Sequence, residues 1–252
     1  MGRSIAFDGG IAARYDATRG GRLRAANAAD AIAPWLPAGG AIVELGVGTG
    51  IIAEALVERG FHPVGLDLSA EMLEKAAARL PGRLARADAT AVPIRDGSVA
   101  GVVGIHVLHL VGDLAAVVAG AARMLEPGGR FAVSGIDGDR DSADDMTEAH
   151  GDVNIRLRPF PPPSADEIVA AGREAGLQLA HDGFQARLSF ERTPKQAARL
   201  LAERTWSWCW DLSDETWAAE VQPVIDALLA LPEPGRPRPH WMERRFLVLE
   251  RP

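Results

Sequence analysis

Glu44 stands two residues ahead of a glycine cluster, Gly46-Val47-Gly48-Thr49-Gly50, where a short apolar run meets a helix-like stretch. Two further carboxylates occupy comparable junctions. Asp67 follows Pro63-Val64-Gly65-Leu66, and Asp88 follows Arg83 to Ala87. Glycines at a strand-to-helix turn admit unusual dihedrals and let a ligand approach the backbone. The helix N-terminus behind them offers free amide donors and the positive end of a dipole, which suits an anionic group. The glycines alone would also fit a structural turn or a dinucleotide site. Two departures weigh against NAD. The third position of a dinucleotide fingerprint, which takes Gly or Ala, falls on Ile51, whose branched chain obstructs close helix-to-strand packing. Glu44 favours a ligand with positive charge and fits a pyrophosphate poorly.

S-adenosylmethionine has the charges this pattern asks for: an ammonium, a carboxylate and a sulfonium. Its carboxylate can face backbone amides near Thr49, while Glu44 favours the positive groups. Asp67 can accept both ribose hydroxyl protons, as an acid does in dinucleotide folds. Asp88 can reach an adenine amino group. Three carboxylates closing three successive strands are a more specific signal than the glycines.

The elements that must position these residues alternate. Gly21 to Leu36 is expected to be a helix burying Leu23, Ala26, Ile32 and Trp35, with Pro34 and Pro37 marking its end. Strands are expected at 41–43, 62–66, 83–87, 99–107 and 130–134. Helices are expected at 51–59, 69–80 with Ser69 as N-cap, and 115–125. This order implies a Rossmann-like, doubly wound α/β fold with a mainly parallel sheet. Ligands then lie beyond the carboxyl ends of the strands at the switch point. Past Gly135 the pattern changes. An acidic segment, Asp137 to Asp152, reads as a solvated loop, and Pro159 to Pro163 (PFPPP) as a stiff connection. Helical stretches at 164–175, 194–201 and 206–217 read as a helical cap, and Arg244 to Leu249 (RRFLVL) as an antiparallel closing strand. A single domain is expected: a lid and first helix (1–36), a cofactor-binding core (41–135), a loop and cap elaboration (136–240) and a closing strand (241–252).

From about Phe7 to Ser134 the sequence resembles the class I S-adenosylmethionine-dependent methyltransferases of the small-molecule type. VELGVGTG (Val43 to Gly50) is similar to the family's first motif, GLDLSAEML (Gly65 to Leu73) to the second and RADAT (Arg86 to Thr90) to the third. MLEPGGRF (Met124 to Phe131) resembles the segment leading into the fifth strand. The resemblance implies that Glu44 and Gly46 flank the methionyl group, with Gly48, Thr49 and Gly50 completing the loop. It implies that Asp67 binds the ribose, that Leu68 and Met72 line the adenine, and that Asp88 and the Ala89 backbone recognise its edge. YDATRG (Tyr15 to Gly20) resembles the family's amino-terminal segment, in which Tyr15 and Arg19 would close over the methionine end and Arg19 would pair with its carboxylate. The fourth strand, Val99-Ala100-Gly101-Val102-Val103, departs from the family in lacking an early acidic residue. No Asn-Pro-Pro-Tyr-like motif follows it, whereas amino-methylating enzymes of nucleic acid or protein often carry one. The Leu108-His109 pair matches the small-molecule branch.

His106, at the mouth of a carboxyl-end loop, is a candidate general base or cofactor-side contact, against a packed, hydrogen-bonded histidine. His109 reads as packing or capping the loop. Asp137, Asp139, Asp141, Asp145 and Glu148 follow a calcium-loop spacing, but Ser142 stands where glycine is needed, so no metal is expected. Trp206, Trp210 and Trp217 share a helical face and read as core or interface, with a substrate-pocket wall as the alternative. Arg236, Arg238, Arg244 and Arg245 could meet an anion, though the intervening prolines favour an exposed loop.

With a net charge of −7, the 252-residue chain has no general affinity for nucleic acid. The lone Cys209 excludes an intrachain disulfide and fits a reducing compartment. Met1 to Gly10 carries no leader-like apolar run and no stretch reaches membrane-spanning length, so a cytoplasmic enzyme with no membrane partner is expected. The expected activity is methyl transfer from S-adenosylmethionine to an oxygen or nitrogen of a small metabolite. The alternatives are a cofactor-binding but catalytically silent partner subunit, and an NAD-linked enzyme.

Overall fold

The computed structural model describes residues 15–18, 20–158 and 161–252. The described chain forms two compact units, the larger comprising residues up to Asp139, Pro162–Ala186 and Arg244–Pro252, the smaller Arg140–Pro161 and Arg187–Glu243. In chain order the larger unit begins with α1 (Tyr15–Thr18), α2 (Gly21–Ile32), β1 (Ile42–Leu45), α3 (Ile51–Val57), β2 (Pro63–Asp67) and α4 (Ala70–Ala76). It continues with β3 (Leu84–Arg86), β4 (Val99–Ile105), α5 (Leu114–Met124) and β5 (Leu125–Ser134). The smaller unit holds β6 (Arg140–Asp141), α6 (Asp145–His150) and α7 (Val153–Arg156). The chain returns to the larger unit with α8 (Ala165–Glu174) and β7 (Gln178–Phe184). The smaller unit resumes with β8 (Leu188–Arg192), α9 (Pro194–Ala202), α10 (Asp214–Thr216), α11 (Gln222–Ala230) and β9 (Arg238–Glu243), and β10 (Arg245–Glu250) closes the larger.

The larger unit carries a seven-stranded sheet in the order β3-β2-β1-β4-β5-β10-β7. The first five of these strands run parallel, and β10 pairs antiparallel with both β5 and β7. This is the expected Rossmann-like arrangement with its antiparallel C-terminal strand. Every residue of β1 and β4 is buried, which is why both read as near-continuous apolar runs: the strands at the centre of a parallel sheet are covered on both faces. One face packs Val43, Leu45, Val102, Phe131 and Val133 under α5 and α8, and the other packs Ile42, Val103, Ile105 and Val248 under α2 and α3. The strand order reverses at β1 and β4, so the loops after these two strands diverge and open a crevice.

Helix starts follow their caps. The Ser69 hydroxyl accepts from the Met72 amide, as expected, and Asp113 caps α5 through the Ala116 amide. Ser164 and Glu167 form a reciprocal capping box at α8. The first helix differs from expectation. It ends at Ile32 and passes into a 3-10 turn over Ala33–Trp35, because Pro34 removes a donor. Its buried face is Ala25, Ala28, Ala29 and Ile32, while Leu23 is 60% exposed. Close packing on the sheet selects small residues here, and Leu23 is left on the outer face.

The smaller unit has its own three-stranded antiparallel sheet, β6-β9-β8, and its own core. The acidic segment, expected as a solvated loop, instead contains β6 and α6. Asp144 caps α6 at the Thr147 amide and also bonds Ser142 and His240. In the same unit Arg238 pairs with Asp145, and in the larger unit Arg244 and Arg245 pair with Asp139 and Asp137. The acidic stretch and the basic C-terminal stretch therefore neutralise one another. This answers the calcium spacing, and no metal-ligand cluster occurs among the described residues. Trp206, Trp208, Trp210 and Trp217 pack within the smaller unit's core, where the Trp210 indole donates to the Arg204 carbonyl at 2.9 Å. Arg204 stacks over Trp217 at 4.2 Å. The stretch 206–217 is broken into short turns rather than one helix, and α11 follows it. Among the described residues no helix is long and apolar enough to cross a membrane. Within the PFPPP segment, Pro159 and Phe160 lie outside the described residues.

Candidate functional site

A cavity opens in the larger unit at the carboxyl ends of β1 to β4. The glycine loop after β1 forms its floor. Gly46 has φ +66°, and a Cβ there would lie 2.5 Å from Val107 Cγ2. Only glycine lets the loop after β1 and the loop after β4 come this close. The loop is braced by the Val47 amide, which donates to the Leu66 carbonyl at 2.9 Å. It then feeds α3, whose N-cap is Gly50.

Two carboxylates flank this loop. Asp67, the last residue of β2, accepts the Gly48 amide at 2.8 Å and the Ser69 amide at 2.9 Å. It thereby ties the glycine loop to the start of α4. Glu44 lies in β1, 2% exposed, and its Oε2 has no hydrogen-bond partner. Burial, with the Asp67 carboxylate adding to it, pushes the Glu44 carboxyl well above the usual carboxylate range. A buried carboxylate with an unmatched oxygen is costly, and a cation brought to the loop would relieve that cost.

Of the residues singled out in the sequence, Tyr15, Gly46, Gly48, Asp67, Leu68, Met72, Asp88, Ala89 and His106 all line the cavity. Glu44 sits beneath the loop. Thr49 is buried with its hydroxyl donating to Asp16 at 2.5 Å, and Gly50 turns into α3. Arg19 lies outside the described residues. Asp88 is held by the Thr90 amide at 2.9 Å and the Thr90 hydroxyl at 2.8 Å.

His106 has φ +55°, uncommon for a residue with a Cβ. Its amide donates to the Ser134 carbonyl at 2.8 Å. The imidazole lies against Gly135, where a Cβ would meet its Nδ1 at 2.5 Å. Glycine at the end of β5 thus makes room for the ring. His109 falls in the short 3-10 turn Leu108–Leu110.

Sequence reasoning missed Val107, Leu110 and Val111, which give the cavity an apolar wall. Their signal was the set of apolar residues interleaved with His106 and His109 after β4. It also missed Asp16, adjacent to Tyr15, and Arg79, which carries no motif. The four arginines near the C-terminus are all matched by carboxylates: Arg236 by Glu233, Arg238 by Asp145, Arg244 by Asp139 and Arg245 by Asp182.

A family model described as Methyltransferase domain matches residues 43–133, from β1 through most of β5. The chain is 40% identical over 91 residues to an uncharacterized methyltransferase of Mycobacterium tuberculosis, a match covering 36% of this chain and 37% of that one. It is 34% identical over 199 residues to the biotin biosynthesis bifunctional protein BioCD of Bordetella avium, covering 72% of this chain and 42% of that one. In both cases the match spans well under half the relative's length. Among solved structures, geranyl diphosphate C-methyltransferase from Streptomyces coelicolor, in complex with S-adenosyl-L-homocysteine, superposes with a TM-score of 0.53 at 13% identity, over 89% of this chain and 75% of that one. At that identity the likeness concerns the fold.

Proposed function

We propose that the chain is a class I S-adenosylmethionine-dependent methyltransferase that transfers the cofactor's methyl group to an oxygen or nitrogen atom of a small metabolite. The observation that carries the cofactor's placement is the unsatisfied Oε2 of buried Glu44 beneath the glycine loop. It offers a countercharge to the ammonium of the methionyl group. The amides of Gly46 and Thr49 face the carboxylate end, those of Gly48 and Gly50 being held by Asp67 and the Val47 carbonyl, and Tyr15 covers it. Asp67 takes the ribose hydroxyls. Leu68 and Met72 hold the adenine, with Asp88 and Ala89 at its edge.

The bound cofactor supplies a methyl group on a sulfonium that is a good leaving group. The chain's own task is to align the acceptor with that group and exclude water. Val107, Leu110 and Val111 supply dry walls, and His106 sits at the rim with its ring held by the Gly135 seat. An acceptor that is already nucleophilic needs no more than this. A small-molecule acceptor is favoured by the largely apolar lining and by the net charge of −7, which disfavours a polyanionic substrate. We read the chain as one methyltransferase domain with an elaboration, acting in the cytoplasm.

The test is calorimetry with S-adenosylmethionine, S-adenosylhomocysteine and NAD, followed by a metabolite-extract screen with methyl-labelled cofactor. Binding of the first two but not NAD, with label appearing on an oxygen or nitrogen, is the expected result. Label on carbon, as the name of the Streptomyces enzyme describes for its own substrate, would correct the acceptor. Binding without any transfer would make the chain a silent partner subunit. Tighter binding of NAD would overturn the cofactor.

A further inference from the structure

Helix α1 has four residues, far too few to be stable by its own hydrogen bonds. Its place beside the cavity must come from contacts with the rest of the unit, and these centre on Asp16. One carboxylate oxygen accepts the Thr49 hydroxyl at 2.5 Å, and the other accepts Arg79 Nη2 at 2.7 Å. Arg79 Nη1 also donates to the Thr49 carbonyl at 2.7 Å. Both polar ends of one glycine-loop residue are thus gripped from the amino-terminal segment and from the turn after α4. Glu54 of α3 holds Arg79 from behind, Nε to Oε2 at 3.2 Å. Asp16 and Arg79 retain only 28% and 25% exposure of their side chains, so solvent screens the pair less than it would a surface bridge. The neighbouring Tyr15 lines the cavity.

We propose that Asp16 and Arg79 are positioning residues of the cofactor site, which hold Tyr15 over the cavity by clasping Thr49 of the glycine loop. The inference rests on reading the cavity as the place where the cofactor binds. The clasp and the cofactor act on the same loop. A ligand that fixes the loop amides therefore also fixes Thr49 for Asp16 and Arg79. By linkage, the clasp must in turn strengthen the ligand's binding, and affinity differences among variants of one site appear mostly in the dissociation rate. Neither residue touches the cavity wall, so both work through Tyr15 and Thr49.

The test uses the full chain and S-adenosylhomocysteine. Dissociation rates are measured by surface plasmon resonance, and hydrogen exchange of residues 15–18 and 46–50 is followed without ligand. Asp16→Ala and Arg79→Met should each raise the dissociation rate about tenfold, equivalent to about 1.4 kcal/mol. Both should lower the protection of residues 15–18. The double variant should go little further than either single one, because the two residues act as a unit. Arg79→Lys should recover part of the effect. The control is Arg59→Ala, which removes a comparably buried arginine that pairs with the exposed Asp30 at 2.6 Å and ties α2 to the end of α3. It should lower Tm and leave the rate unchanged, which separates positioning from plain stability. Should Asp16→Ala fail to fold, the isosteric Asp16→Asn carries the test, and its rate must still rise. Unchanged rates in folded variants, or an equal rise in the Arg59 control, overturn the clasp while leaving the proposed function standing. Absence of S-adenosylhomocysteine binding by the unaltered chain overturns the function and the clasp together.

Discussion

Replacing Glu44 by Gln removes a charge and leaves the shape nearly unchanged, so it isolates the electrostatic role assigned to this residue. In the ligand-free protein, burial and the Asp67 carboxylate push the Glu44 carboxyl above its usual range. The folded state therefore binds a proton more tightly here than the unfolded chain does. As pH rises from about 4.3 through the raised folded value, this group costs stability, and above that value the cost is constant. The Gln variant lacks this slope, so it should gain on the unaltered chain as pH rises and be the more stable of the two at pH 8. Binding should show the opposite preference. An ammonium beside the unsatisfied Oε2 favours the ionised carboxylate, so ligand uptake releases a proton from the unaltered chain. Loss of a charged, buried hydrogen bond costs about 2–3 kcal/mol. S-adenosylhomocysteine should accordingly bind the variant roughly 30- to 150-fold more weakly. Calorimetry in two buffers of different ionisation heat measures affinity and proton release together, and thermal melts across pH give the stability arm. Equal affinity and equal proton release in Glu44→Gln would refute the reasoning and leave Glu44 as a core carboxyl without a ligand.

Three further outcomes are expected. Asp67→Ala removes the bridge from Gly48 to Ser69 and the proposed ribose acceptor, and should weaken S-adenosylhomocysteine by about 1.5–3 kcal/mol; unchanged calorimetric affinity would displace the ribose from this corner. Gly46→Ala forces a side chain onto φ +66° and against Val107, and should lower stability by about 1–3 kcal/mol in urea titrations while reducing cofactor affinity, whereas a neutral result would mean the two loops can part. At Asp144, burial works against ionisation, but bonds from His240, Thr147 and Ser142 outweigh it and hold the carboxyl down at about 2. Its contribution is present above the unfolded value near 3.9 and lost as pH falls toward 2, so Asp144→Ala, costing about 1 kcal/mol as a lost helix cap, should differ from the unaltered chain at pH 6 and converge with it near pH 2 in unfolding followed by tryptophan fluorescence.

The central sheet and its loop were legible because their causes are local. Ile42–Leu45 is apolar but for Glu44 and Val99–Ile105 is apolar throughout, and the glycines, Ser69 and Asp67 act within a few residues of where they stand. What escaped was set by partners distant in sequence. The acidic stretch after Gly135 reads as solvated until Arg238, Arg244 and Arg245 are brought to it from about a hundred residues away. Asp16 meets Arg79 across 63 positions, and nothing near either residue announces the other. The strands β7, β8 and β9 were missed because their half-exposed residues are largely polar, which leaves little apolar signal to read. Leu23 was misplaced for a different reason. Hydrophobicity counts leucine above alanine, whereas the face that α2 turns inward carries Ala25, Ala28, Ala29 and Ile32.

A glycine turn between strand and helix serves several classes of ligand, so its geometry alone leaves the choice open. Two neighbouring residues decide it. Ile51, where a dinucleotide fold keeps a small residue for close helix packing, instead packs into the cluster beneath α2. Glu44 places a carboxylate under the loop, and Asp67 places a second one beside it. A pyrophosphate would bring further negative charge to a spot where two carboxylates already repel each other and one is fully buried. A ligand presenting an ammonium to Glu44 and hydroxyls to Asp67 relieves that repulsion while its carboxylate still meets the loop amides. The buried charge therefore carries more information about the ligand than the glycines do, and it is a charge that folding alone gives no reason to keep.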